Sequence, residues 1–111
     1  MVTLRSVINK RGAVIGRFTR AMAEASKIIH TDRAFVYKVL GKYLRITDTK
    51  VLDAAYQSEI PALERRLEIS EAALQASLDE IAPLDPRAKS IKPQEMIDRR
   101  YLVELEKSGA F

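Results

Sequence analysis

The 111-residue sequence has no cysteine, no tryptophan and one histidine. Without cysteine there can be no disulfide, no thiol nucleophile and no Cys-containing zinc site. Proline and glycine number only four each, a composition that excludes collagen-like and low-complexity chains. No apolar run approaches the ~18 residues needed to span a bilayer. Arg5, Lys10, Arg11 and Arg17 interrupt the first eighteen residues, so no secretory h-region fits there. What remains is 47% hydrophobic, too apolar for a disordered tail. Its length predicts a single domain at most, burying roughly two-thirds of the unfolded chain's surface.

The net charge of +4 hides an asymmetry. Residues 1–50 carry eleven Lys/Arg against Glu24, Asp32 and Asp48, a balance of +8. Residues 51–111 carry eight Lys/Arg against twelve acids, a balance of −4. A basic half can be a nucleic-acid footprint. Here the cations stand singly or in pairs, and Phe18 and Tyr43 among them fall on apolar stripes. Mutual neutralisation of the halves, or contact of either half with another part of a larger molecule, is the better account.

Met1 to Arg5 is short, holds β-branched residues and alternates partly, which predicts a short strand. From about Arg11 the period becomes helical, with Val14, Ile15, Phe18, Met22, Ala25, Ile28 and Ile29 on one stripe. Thr31 and Asp32 offer a cap for a second helix carrying Val36, Val39, Leu40, Tyr43 and Leu44. Thr47 and Asp48 do the same for a third, with Val51, Leu52, Ala55 and Tyr56, which must break at Pro61. Ala62 to Glu68 fits a helix or an irregular link equally. Ser70 caps a helix with Ala73, Leu74, Leu78 and Ile81, and Pro83-Leu84-Asp85-Pro86 predicts a turn. Pro93 suits a first helical position, Asp98 can cap a last helix with Tyr101, Leu102 and Leu105, and Gly109 can end it. The fold class is therefore mainly α, about five helices with one short N-terminal strand. The expected core is Phe18, Met22, Val39, Leu40, Leu74 and Leu78.

No residue cluster reads as a catalytic, cofactor or metal site. Gly12 and Gly16 match a small-xxx-small pattern, but in a charged helix they read as two tolerated glycines. Around Gly41-Lys42, Val36 and Tyr43 stand where a phosphate loop needs Gly and Ser/Thr. His30 has no second His or Cys for a metal and sits where a helix C-terminus favours an imidazole. Glu64, Glu68 and Glu71, with Arg65 and Arg66 beside them, read as helix-surface pairs. So do Asp79 and Glu80, with no pocket to separate their pKa values for acid/base work.

A lone strand leaves its backbone groups without partners, so either the N-terminus is frayed or helical or its sheet belongs to something absent, and the second reading suggests a piece of something larger. From Gly16 to Phe111 the chain resembles the C-terminal end of substrate-binding proteins of ABC importers, in the nitrate/sulfonate/taurine and thiamine-precursor class. The resemblance runs through GRFTRAMAEASKIIHTDR (Gly16–Arg33), VLGKYLRITDTKVLDAAY (Val39–Tyr56), EAALQASLDEIA (Glu71–Ala82) and DPRAKSIKPQEMIDRRYLVELEKSGAF (Asp85–Phe111). Its most specific part is Lys92-Pro93, Asp98, Leu102 and Ser108-Gly109. It implies the helical part of a two-lobed α/β periplasmic-binding-protein fold, with Val2 to Arg5 as a strand returning from the second lobe to the first. The ligand-contacting loops of such proteins precede this segment, so the resemblance assigns no binding residues.

Two functions follow as expectations. The first is the C-terminal portion of an ABC importer's solute-binding component, non-enzymatic, without cofactor or complete ligand site. Its small-molecule ligand and permease partner would belong to the longer relative, at the periplasm or cell surface. The chain as it stands shows no export signal, an expectation of cytoplasmic residence. The second is a free-standing helical module that binds a protein, or nucleic acid through its basic half. Apolar stripes and an unpaired strand also predict a homo-oligomer, with exchanged N-terminal segments as one route.

Overall fold

About three-quarters of the chain's backbone–backbone hydrogen bonds, 53 of 71, lie within helices. In the computed structural model, which describes residues 1–111, there are six α-helices and no strand. They are α1 (Arg5–Thr31), α2 (Arg33–Leu44), α3 (Thr49–Glu59), α4 (Glu71–Ile81), α5 (Pro93–Met96) and α6 (Arg100–Lys107), with 3-10 turns at Ile60–Ala62 and Pro86–Ser90. Caps set three of the starts. The Asp32 carboxylate accepts from the Phe35 N–H at 3.0 Å, Asp48 from Lys50 at 2.9 Å, and the Ser70 hydroxyl from Ala73 at 3.2 Å. Each bond takes up a first-turn amide that the helix itself cannot satisfy. At the far end Gly109 adopts φ 72°, and the N–H of Ala110 reaches back to the Leu105 carbonyl at 3.0 Å. Pro61 lies in the turn that ends α3, where its missing N–H does least harm.

The strand expected at Val2–Arg5 does not form. Met1 to Leu4 is irregular and exposed, and Arg5 already belongs to α1. No second strand exists to accept its hydrogen bonds, whereas a helix satisfies them locally. Val7 and Ile8 donate to the Leu4 carbonyl at 3.0 and 3.2 Å. The helix expected from about Arg11 begins earlier, at Arg5, and Arg11, with φ −132° and ψ 33°, marks a kink within it.

Packing is open. α1 packs on α2 and α6, α2 on α3, and α4 on α5 and the Pro86–Ser90 turn. Only nine residues are buried, too few for a continuous core. Of the expected core, Leu78 is buried and Val39, Leu40 and Leu74 are half-buried, but Phe18 and Met22 are 48% and 44% exposed. The reason is the face that α1 turns inward. Thr19, Ala23 and Ser26 are its buried residues, and the Tyr101 ring of α6 lies against Gly12 and Gly16. The accessible surface is 8665 Å², against about 6,200 Å² for a compact monomer of this mass. The radius of gyration is 17.6 Å, where about 13 Å suits a closed domain of this length.

Candidate functional site

The most developed concave feature is an apolar groove where α1 meets α2. Its walls come from the last turns of α1, the length of α2 and the Ile60–Leu63 link, and it encloses about 380 Å³. All nine lining residues are apolar, among them Ala25, Ile29, Phe35, Val39, Leu40 and Leu63. Helical spacing builds it: Ala25, Ile28 and Ile29 share one side of α1, and Val36, Val39 and Leu40 share one side of α2. Val14, Phe18 and Met22 continue the same α1 stripe toward the N-terminus, still exposed. With no polar group in its lining, this surface can exclude water and recognise shape. It offers no acid, base or nucleophile to a bound molecule.

A polar cluster on the other side of α2 is built from Arg33, Tyr37, Asp53 and Tyr56. The Arg33 Nε–H donates to the Tyr37 hydroxyl at 2.8 Å, and both Arg33 and the Tyr37 hydroxyl bond Asp53 Oδ1. Gln57 donates to Asp53 Oδ2 at 3.1 Å, and the Tyr56 hydroxyl donates to the Ile29 carbonyl at 2.8 Å. The guanidinium lies 5.4 and 5.0 Å from the centroids of Tyr37 and Tyr56, whose rings meet edge-on at 5.6 Å. The Tyr37 hydroxyl and the Arg33 guanidinium hold the Asp53 carboxyl below its ordinary range. Desolvation and the bond to Asp53 push the Tyr37 phenol up. Every group here has a partner, so the cluster clamps α2 to α3 and to the end of α1.

His30 stands in the last turn of α1, as its spacing predicted, between two small clefts. Its Nδ1 lies 2.8 Å from the Ser26 carbonyl and must donate there, leaving Nε2 buried without a partner. The smaller of the two, about 260 Å³, is edged by Ser26, Lys27, Arg65, Arg66 and Phe111. Its cations do not converge on a common point. Arg66 pairs with Glu106 at 2.9 Å and stacks over Phe111 at 5.6 Å.

The acidic cluster expected to pair along a helix surface is used differently. Glu64 lies in an irregular link, where Oε2 accepts the N–H groups of Arg66 and Glu68 at 2.8 and 3.3 Å. Glu68 bonds Arg99, and Glu71 accepts from Gln94 at 2.8 Å. Glu64 therefore holds amides within the link, while Glu68 and Glu71 tie the link and α4 to the C-terminal segment; none of the three pairs with the Arg65 or Arg66 guanidinium. A helix-surface reading failed because Leu67, with φ 59°, breaks any continuous helix there. Asp79 does hold to its helix, accepting from Gln75 at 2.8 Å.

Sequence reasoning missed two features. Gly12 and Gly16 are a seat for Tyr101: a Cβ on Gly12 would fall 2.9 Å from its hydroxyl, and one on Gly16 would fall 3.3 Å from its ring. The small-xxx-small spacing marked that seat. The Arg33–Asp53 clamp left only its Arg33/Tyr37 and Asp53/Gln57 spacings of four. No three His, Asp or Glu side chains gather as a metal-holding group, and no helix is long and apolar enough to cross a membrane. Set against known protein families, curated proteins and solved structures, the chain matches none of them.

Proposed function

We propose that this chain is the C-terminal portion of the solute-binding component of an ABC importer, of the nitrate/sulfonate/taurine-like or pyrimidine class. The observation that carries the reading is the uncovered apolar face of α1 and α2, joined to an N-terminal segment that has no partner. In such a protein an α/β lobe packs on that face, and Val2 to Arg5 becomes a strand once the lobe supplies its neighbours. The ordered sequence resemblance from Gly16 to Phe111 supports the same assignment. On this reading the chain performs no catalysis and holds no complete ligand site, because the ligand loops belong to the preceding lobes. Ligand and permease are partners of the whole protein, at the periplasm or cell surface. The nucleotide sequence upstream of Met1 tests the proposal. The expected result is an open frame, in phase, encoding α/β lobes and an export signal. An in-frame stop beside a ribosome site overturns it.

The apolar groove favours a second reading, a free-standing helical module that docks a protein partner. Nucleic acid is a poor fit to either, since the cations of the basic half are dispersed and the best-formed groove is apolar. Isothermal titration with taurine, alkyl sulfonates, nitrate and pyrimidines should give no heat at millimolar concentration. A micromolar isotherm would place a ligand site within these 111 residues.

A further inference from the structure

We infer that the 111-residue chain on its own forms a two-fold homodimer through the exposed face of α1 and α2. The inference is independent of the solute-binding reading. Three observations carry it. The first is area: the chain exposes roughly 2,500 Å² more than a compact monomer of its mass, and a stable interface needs only about 800 Å² from each partner. The excess is a property of the whole chain, and Phe18, Met22, Ile28 and Phe35 on this face are each at least 39% exposed.

The second is spacing. Ile15, Phe18, Met22, Ala25 and Ile29 recur at intervals of three and four, the seam of a paired helix. Val14, Ala21 and Ile28 flank the open side of the seam, while Thr19 and Ser26 on the other side are buried, Ser26 under the Arg65 link. No charge stands at those flanks. Arg17, Arg20, Glu24 and Lys27 fall on the outer positions, so two basic α1 helices can meet along this seam without opposing their cations.

The third is self-complementarity. The groove lies beside the C-terminal half of the stripe, and the protruding Phe18 and Met22 lie at its middle. A two-fold axis near Met22 and Ala25, with the α1 helices antiparallel, lays each copy's Phe18 toward the other's groove. The same surface then serves both copies, as a closed isologous dimer requires.

Sedimentation equilibrium of the intact chain at tens of micromolar tests this. The expected mass is twice 12.5 kDa, falling to a single copy in Phe18→Glu/Met22→Glu with helix content by circular dichroism unchanged. A wild-type mass of 12.5 kDa overturns the inference, and so does a dimer that survives the double substitution with its helices intact. If the double variant loses its helices, a cysteine decides, because the chain has none of its own. Ala25→Cys, beside the axis, should join two copies on mild oxidation, while Lys89→Cys on the Pro86–Ser90 turn should not. Equal yields from both, or none from Ala25→Cys, overturn the inference.

Discussion

The two faces of α1 differ in side-chain size, and that difference decides which one is buried. On one face Gly12, Gly16, Thr19, Ala23 and Ser26 allow α6 and the Arg65 link to come close. Polar atoms on this face are already satisfied: the Thr19 hydroxyl donates to the Ile15 carbonyl, and the Ser26 hydroxyl to the Arg65 carbonyl, each at 2.9 Å. Burying them therefore incurs little desolvation penalty. On the other face Val14, Phe18, Met22 and Ile28 hold more apolar area yet find nothing in the chain large enough to cover them. Hydrophobicity alone does not choose the inner face of a helix. Available partners and close approach do.

The sharpest way to break this comparison is to remove one large side chain from each face's surroundings. Leu105, 3% exposed, packs where α6 meets α1, and Leu105→Ala should cost ~2–5 kcal/mol. Phe18→Ala should cost about 0.5 kcal/mol or less in dilute solution, where copies are apart. Urea unfolding followed by circular dichroism at submicromolar protein reads both, and equal losses would erase the distinction. Adding volume gives the complementary test. Ala23→Leu, at a position only 2% exposed, should destabilise by ~1–3 kcal/mol through overpacking, while Ala25→Leu should leave the single chain unchanged.

The helix inventory was legible because its determinants are local. Asp32, Asp48, Ser70, Pro61 and Gly109 each act within a turn of their own position, and each marks or flanks a boundary read from spacing. The inner face of α1 was not legible, because its phase depends on Tyr101, some ninety residues away. An apolar stripe at helical period is the ordinary marker of a core, and here Phe18 and Met22 follow it outward. The strand at Val2–Arg5 failed for a related reason: alternation describes a strand only when a neighbour exists to pair with it. Of the candidate site, Ala25, Ile28, Ile29, Val36, Val39 and Leu40 are legible as stripes, Phe35, Ile60 and Leu63 are not, and their convergence required the α1–α2 angle. The Arg33–Asp53 clamp crosses a turn between helices, and sequence spacing carries no information about that.

Acid should act outside α1, which sharpens the same contrast. The Tyr37 hydroxyl and Arg33 hold the Asp53 carboxyl low, Arg87 does so for Asp85, and Arg100 for Asp98. A carboxyl depressed in the folded state adds stability that is present above its unfolded value, about 3.9, and is lost as pH falls through the folded value. The urea midpoint should stay level from pH 8 to pH 5 and decline below about pH 4. Asp53→Asn should flatten part of that decline, modestly, because exposed ion pairs contribute little. Glu24, the one acid within α1, makes no ion pair, so Glu24→Gln serves as the comparison substitution. A Glu24→Gln profile flatter than that of Asp53→Asn would reverse the assignment.

The smallest effect concerns the end of α2, where one residue is in the wrong conformation for its side chain. Arg45 closes the helix with φ 56° and ψ 39°, and its N–H and that of Ile46 both reach the Gly41 carbonyl. A left-handed residue with a Cβ costs roughly 1–2 kcal/mol, whereas glycine adopts the same angles freely. Glycine's greater freedom in the unfolded chain offsets part of the gain. Arg45→Gly should therefore stabilise by about 0.5–1 kcal/mol, a rise of roughly 2–6 °C in the thermal midpoint. The reciprocal change tests whether the turn geometry, not the loss of a charge, is responsible. A Cβ on Gly41 would lie 3.0 Å from the Ile46 carbonyl oxygen, so Gly41→Ala should fail to gain the helix propensity that alanine normally brings. Arg45→Ala, which removes the charge but keeps the Cβ, should leave the midpoint near that of the wild type. A gain from Arg45→Ala equal to that from Arg45→Gly would show that charge, not backbone conformation, limits this corner.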